Sequence, residues 1–113
     1  MLNFESEQRF CVQATLAAGD ATKTLKAAIA EEQLVVTSVV VTGLTPAAQL
    51  LYVGDVSGAV KALSLAASLA ANAQVSLQLI EGLKLTKGED LIIKPAAAGP
   101  SVHVVAEGYI LRG

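Results

Sequence analysis

Residues 33–42 read QLVVTSVVVT, and seven of these ten side chains are β-branched. Branching at Cβ costs rotamer freedom in a helix and suits the pleated, half-buried surface of a strand. This segment therefore commits the chain to a sheet. Gly43 and Pro46 close it, since neither residue favours a strand interior. Arg9–Leu16 is a second candidate, where Phe10, Val12, Ala14 and Leu16 alternate with Arg9, Cys11, Gln13 and Thr15. In Gln74–Ile80, Val75, Leu77 and Leu79 alternate with Gln74, Ser76 and Gln78. That is the pattern of an antiparallel strand with one wet face.

Turn residues punctuate the rest. Gly19-Asp20 follows the first strand, Glu31-Glu32 separates Thr22–Ala30 from residues 33–42, and GDVSG (54–58) ends a short strand over Gln49–Val53. Residues 59–73 are ambiguous: their alanines and leucines favour helix, whereas Leu63, Leu65 and Leu69 keep an every-second-residue grid. The reading adopted is a strand over Lys61–Leu65 and a loop around Ser68–Asn72, with a short helix over 66–73 as the alternative. Gly82–Ile93 reads as a hairpin of two short strands about a Lys87-Gly88 turn, with glycine supplying the positive φ of a tight reversal. The loop Pro95–Pro100 precedes a last strand, Ser101–Leu111. Eight or nine short strands with turns at this spacing predict an all-β fold, a sandwich or barrel. Residues 1–7 (MLNFESE) read as an N-terminal arm and 8–113 as one domain without internal repeat or linker.

A chain of 113 residues can bury roughly two-thirds of the surface its unfolded form exposes. Charged residues make up 16% and hydrophobic ones 53%, against about 25% charged in an ordinary soluble domain. Mean hydropathy is +0.56. Such a surface is expected where partner subunits cover much of it. The net charge of −2 and the dispersed lysines (Lys23, Lys26, Lys61, Lys84, Lys87, Lys94) leave no basic footprint for nucleic acid or an anionic membrane. Leu34–Val41, the longest apolar stretch, is broken by Thr37 and Ser38 and is too short for a membrane span. MLNFESEQRF carries acids where a secretory signal has a basic region, so synthesis and retention in a cytoplasm are expected. Cys11, the single cysteine, is expected to be a buried, inert thiol.

The phrase GLKLTKGEDLII (82–93) resembles the GLxLxxGExLxI hairpin near the end of many jelly rolls, tumour-necrosis-factor-like domains and viral structural proteins among them. More of the chain is similar to a group of small tailed-bacteriophage proteins. The matching features are TLKAAIA (24–30), the β-branched strand, SLAAN (68–72), the Gly-Glu hairpin and the closing VVAEGYI (104–110). The resemblance spans most of residues 8–111. It departs at Leu79-Ile80-Glu81-Gly82-Leu83, where many relatives carry an aromatic. It implies a single antiparallel β-sandwich of jelly-roll type and a structural role in a virion. The expected role is capsid cement or decoration: bridging major capsid protein subunits at the capsid surface after assembly in the host cytoplasm. A homo-oligomer, preferably a trimer, goes with it. The alternative is a tail, fibre or baseplate module that binds host receptor or other tail proteins.

The residues offer little chemistry against this reading. His103, the sole histidine, faces opposite to Val102 and Val104 by alternation. No further ligands stand at metal spacing around it. A Cys11–His103 pair requires the first and last strands to be neighbours, and nothing resembles a nucleophile elbow. Asp55, Asp20, Glu81, Glu89 and Asp90 are oxygen donors of the kind calcium uses, yet turn acids more often accept backbone hydrogen bonds. Glu89 and Asp90 beside Lys84 and Lys87 read as a solvated cross-strand ion pair. A lectin would want flat aromatic platforms, and the aromatics are only Phe4, Phe10, Tyr52 and Tyr109. Phe10 is expected in the core, and the two tyrosines with their polar tips outward. No enzyme activity, cofactor or metal is therefore expected. Partner binding is assigned to the arm, through Leu2, Phe4 and Glu5, with Phe4 as the anchor.

Overall fold

The computed structural model describes residues 7–16, 22–43, 47–69, 74–95 and 101–112. The β-branched run becomes β3 (Glu32–Gly43), an interior strand of its sheet. The other strands are β1 (Glu7–Leu16), β2 (Lys23–Lys26), β4 (Ala47–Asp55), β5 (Lys61–Leu69), β6 (Gln74–Lys84), β7 (Leu91–Pro95) and β8 (Val102–Arg112). They form two four-stranded sheets, sheet I in the order β1-β8-β3-β6 and sheet II in the order β2-β7-β4-β5.

Every pairing is antiparallel, and the pairs nest: β1 with β8, β2 with β7, β3 with β6 and β4 with β5. The chain is thus one long double ribbon with its tip at the turn between β4 and β5. Rolling this ribbon up brings β8 against β3 and β7 against β4, which is the jelly-roll arrangement expected from the sequence.

The core lies between the sheets. Leu34, Val36, Val39 and Val41 of β3, with Val102, Val104, Ala106 and Ile110 of β8, face Val53, Leu91, Ile93 and Leu25, and Leu16 and Leu85 close the cluster. Each such side chain, fully buried, contributes about 1.5–3 kcal/mol. Phe10 packs against this cluster while only half-buried.

β3 does not keep one phase. Leu34 and Val36 face inward, then Val39 and Val41 do, and Thr37 is the extra residue between them. Val36 pairs Gly108 and Ser38 pairs Glu107, so nothing on β8 stands opposite Thr37. This bulge works because position 108 is glycine: a Cβ there would sit 1.9 Å from the Val35 carbonyl oxygen and 2.9 Å from Phe10 Cζ. On the other flank, β6 jumps from Gln78 opposite Ser38 to Leu83 opposite Val36. Residues 79–82 therefore bow outward against Thr37 alone.

Three expectations need correcting. Residues 82–93 are not a hairpin, because β6 belongs to sheet I and β7 to sheet II. Leu85 and Leu91 both point into the core, and residues 86–90 between them cross the gap of about 10 Å separating packed sheets. The turn itself is real, with Gly88 at φ 82°. Ser68 and Leu69 are strand rather than loop, paired with Ala48 and Ala47. The ladder of β4 overrides the helix propensity of the alanines, and residues 70–73 fall outside the described residues. The arm assigned to 1–7 overlaps β1 at Glu7, and residues 1–6 are outside the described residues.

Two glycines separate steric from conformational cost. Gly108→Ala must displace the β3 bulge, and we expect it to lower stability by about 3 kcal/mol or to prevent folding. Gly58 stands at φ 80° in open space, with Tyr52 Oη the nearest atom at 4.0 Å, and Gly58→Ala should cost only about 1–2 kcal/mol. Urea unfolding of the two variants beside the wild type checks the ordering.

Candidate functional site

The loops β2–β3, β4–β5 and β6–β7 meet at one end of the sandwich, and acidic side chains join them. Asp55, the last residue of β4, is wholly buried. Its Oδ1 accepts from Val60 N at 3.3 Å and Ser57 Oγ at 3.1 Å. Its Oδ2 accepts from Thr86 N at 3.1 Å and Thr86 Oγ1 at 2.5 Å. One carboxylate thus closes its own turn and holds it to the crossing loop. Glu89 accepts from Ser57 N at 2.6 Å and Asp90 from Ala28 N at 2.8 Å. Glu32 accepts from Ile29 N at 3.3 Å and forms a salt bridge with Arg112 Nη2 at 3.1 Å. Arg112 also donates to Gln8 Oε1 at 2.8 Å.

Burial pushes the Asp55 carboxyl up, but the donors from Thr86, Val60 and Ser57 outweigh it and hold its pKa below the ordinary aspartate value. Tyr52 donates to the Asp55 carbonyl at 2.9 Å and lies near that of Val60 at 3.3 Å. Burial, then the charges of Asp55 and Glu89, raise its phenol above the usual value, so it remains a donor.

Three of the five acids singled out as oxygen donors, Asp55, Glu89 and Asp90, do gather here, spent on backbone and hydroxyl donors. Glu81 lies in β6, and Asp20 is outside the described residues. No cluster of three or more His, Cys, Asp or Glu fit to hold a metal ion occurs among the described residues. The cross-strand ion pair expected of Glu89 and Asp90 is replaced by these loop contacts, because their flanking strands lie in different sheets.

The outer face of sheet I carries His103 and Cys11. The first and last strands do pair, but Cys11 stands opposite Glu107 and His103 opposite Thr15, which separates thiol from imidazole by about 13 Å along the strands. His103 Nδ1 lies 2.8 Å from Thr15 Oγ1, and Nε2 lies 3.0 Å from Gln13 Oε1. Cys11 is exposed, contrary to the buried thiol expected. Its place among the outward residues of an edge strand decides this, and the alternation in Arg9–Leu16 already contained the signal.

The register makes this face a regular grid. One row runs Thr15–His103–Thr42–Gln74, the next Gln13–Val105–Val40–Ser76, and the third Cys11–Glu107–Ser38–Gln78. Beyond the bulge the row is Arg9–Tyr109–Val35–Lys84.

Ile80 at 98%, Ile29 at 63% and Val56 at 58% are the exposed large apolar side chains among the described residues. Ile29 follows Ala28, whose amide Asp90 holds, Val56 follows Asp55, and Ile80 tips the β6 bow. An open hollow of about 350 Å³ follows the bow from Gln78 to Leu83. It is built from one strand, with Gln78 and Glu81 the polar residues of its lining, and it offers contact rather than chemistry. The partner-binding assignments Leu2, Phe4 and Glu5 lie outside the described residues.

No protein-family description and no curated protein matches the sequence. Solved structures do match in fold. A chain of the acid-stable capsid of Helicobacter pylori bacteriophage KHP30 is 14% identical, over 95% of this chain and 94% of that one, with a TM-score of 0.59. A chain of the cyanophage Pam1 capsid asymmetric unit is 19% identical, over 91% of this chain and 84% of that one, with a TM-score of 0.51. The Drosophila NLP core, described for pentamer formation and histone binding, is 14% identical over 90% of this chain and 98% of its own, at 0.53. What these proteins share with this chain is the jelly-roll fold.

Asp55→Ala should strand the amides of Thr86 and Val60, at about 1–3 kcal/mol for each unsatisfied buried donor. The lowered pKa fixes the sign of the acid response: the carboxylate's contribution is present above the ordinary aspartate pKa and is lost as pH falls through the lower folded value. In Asp55→Asn the acid limb of the stability curve should therefore be shallower, as urea midpoints measured across that range will show. Cys11 should react stoichiometrically with a thiol reagent in the native protein.

Proposed function

We propose that this chain is a structural virion protein, a capsid cement or decoration protein that bridges major capsid protein subunits at the capsid surface. The observation that carries the reading is the match to a phage-capsid chain over nearly the whole of both chains, 95% and 94%. The sparse charge supports the same reading. Histone binding, for which the NLP core is described, would call for acidic tracts to meet a basic partner, and the longest acidic runs here are the pairs Glu31-Glu32 and Glu89-Asp90.

The mechanism is mass action. A protein that binds only the assembled lattice stabilises it by its binding free energy, repeated over many copies. The rigid, apolar-tipped loop end serves this purpose, because loops pinned by carboxylates lose little entropy on docking. The arm, with Leu2, Phe4 and Glu5, is the second contact, and a trimer is the proposed assembly on the particle.

The first test is copy number. Quantitative mass spectrometry of purified particles should find this chain in a simple ratio to the major coat protein. A handful of copies would move it to the tail, and absence would overturn the virion reading. Deleting residues 1–6 should leave the melting transition intact and weaken particle binding.

A further inference from the structure

Sheet I has the order β1-β8-β3-β6, so β1 and β6 are its edges, and β2 and β5 are those of sheet II. Three of the four edges carry a feature that resists strand addition. β6 bows at residues 79–82, β2 has four residues and a register shift, and β5 begins at Lys61 with a shift beside it. β1 has no such feature. It runs ten residues, Glu7–Leu16, without proline, glycine or lysine, and keeps one register with β8 throughout.

Two contacts fix the direction of its backbone groups. Thr37 Oγ1 donates to the Glu107 carbonyl at 3.2 Å, so Glu107 turns its N–H and C=O toward β3. Alternation then turns the even-numbered residues of β8 toward β1, and these stand opposite the even-numbered residues of β1. The odd-numbered residues of β1 therefore point their backbone groups off the open edge. Lys23 Nζ, reaching from β2 to the Thr15 carbonyl at 2.8 Å, meets one of them there. Cys11 and Gln13 lie in the middle of that row. On the inner side of the same strand Phe10, Val12 and Ala14 pack on the core while only half-buried. An open ladder beside a half-covered apolar row is what an added strand completes.

We infer that this edge pairs antiparallel with the β1 edge of a second copy, about a two-fold axis at Cys11, so that two I sheets become one. An antiparallel edge is its own complement, because each residue on it offers both a donor and an acceptor, and a two-fold closes the contact. Charge selects the register. Among the described residues, axes at Cys11 and at Val12 give the longest overlaps, over 7–15 and 8–16. An axis at Val12 sets Arg9 opposite the partner's Thr15, where Lys23 holds the carbonyl, and brings like charges together at both ends. An axis at Cys11 sets Arg9 opposite the partner's Gln13 and Glu7 opposite that Thr15. Phe10 then faces the partner's Val12 on the inner side, which carries the core across the contact, and Cys11 faces the partner's Cys11. Main-chain hydrogen bonds supply the affinity in strand addition, so a narrow strip suffices for a reversible dimer. The inference concerns the purified chain and does not depend on the capsid reading.

Sedimentation equilibrium up to about millimolar protein should show a reversible monomer–dimer equilibrium. Amide exchange followed by NMR over the same range locates the contact. The Val12 and Ala14 amides should exchange slowly at every concentration, whereas those of Cys11 and Gln13 should exchange fast in dilute protein and slow by roughly tenfold or more as dimer forms. Cys11→Lys sets two ammonium groups together at the axis, and Gln13→Lys sets one opposite each Arg9. Each should weaken association roughly tenfold with an unchanged melting curve, and either carries the test should the other fail to fold. Mild oxidation of the wild type should yield a disulfide-linked dimer, since directly opposed residues have Cα atoms about 5.5 Å apart, within disulfide range. In Cys11→Ser/Gln13→Cys the two thiols stand about 14 Å apart along the strands and should not cross-link. Absence of self-association, no concentration-dependent protection at Cys11 and Gln13, indifference to the lysine variants, or equal cross-linking at 11 and 13 would each overturn the inference.

Discussion

The pairing of β3 with β8 runs over eleven residue pairs, from Glu32 opposite Arg112 to Gly43 opposite Val102. It converts a long ribbon into a closed sandwich, because it is where the ribbon touches itself. Both strands supply the inner face of sheet I, and their inward residues make up most of the core on that side. β8 is also the last strand in the chain, so the central ladder joins residues some seventy positions apart. Contacts of that separation are entropically late and make folding slow for a domain of this size. A chain that relies on such a ladder cannot tolerate an error within it. The one irregularity, at Thr37, is matched from both sides by Gly108 and by the bow of β6.

The loop end compensates for a missing device. A single cysteine rules out a disulfide within the chain. Carboxylates take over the tying of loops here. Asp55 joins β4–β5 to the crossing loop, Glu89 returns the contact, Asp90 reaches Ala28, and Glu32 binds Arg112 near the end of β8. These acids explain how few charges remain elsewhere. Four of the ten acids are used internally, and the three rows on the outer face of sheet I between Thr15 and Gln78 hold Glu107 as their one formal charge.

The sequence was most legible where one face of a strand is buried and the other wet. Gln74–Ile80 and Ser101–Leu111 alternate cleanly, and the structure places strands over both. The β-branched run was legible as a strand but not in its phase, since a bulge displaces the alternation and glycine at 108 is far away in sequence. The Gly82–Ile93 phrase misled for a physical reason. A tight turn with glycine at positive φ serves equally well between strands of one sheet and between strands of two, and only the inward leucines on either side distinguish them. The alanine-rich stretch misled because propensity is local, whereas the β4 partner that fixes it is not. At the candidate surfaces, Asp55 was readable as a turn acid, but its reach to Thr86 depends on the roll of the ribbon. Cys11, expected buried from its residue type, is exposed, as the alternation of Arg9–Leu16 implies.

The distribution of charge ties the fold to its proposed use. A sandwich has two sheet faces, two ends and two open edges, and each must either be solvated or covered. In this chain the β6 edge is bowed and carries Lys84, while β2 is short, and both features discourage indiscriminate strand addition. The loop end is rigid, with isolated apolar tips. The outer face of sheet I carries Glu107 as the one formal charge of its three rows between Thr15 and Gln78, with Arg9 and Lys84 in the row beyond the bulge. A protein that worked free in solution would gain from charge on that face, through solubility and repulsion between copies. One that works within a crowded lattice gains from its absence. Neutral side chains cost little to desolvate where local concentration supplies the driving force.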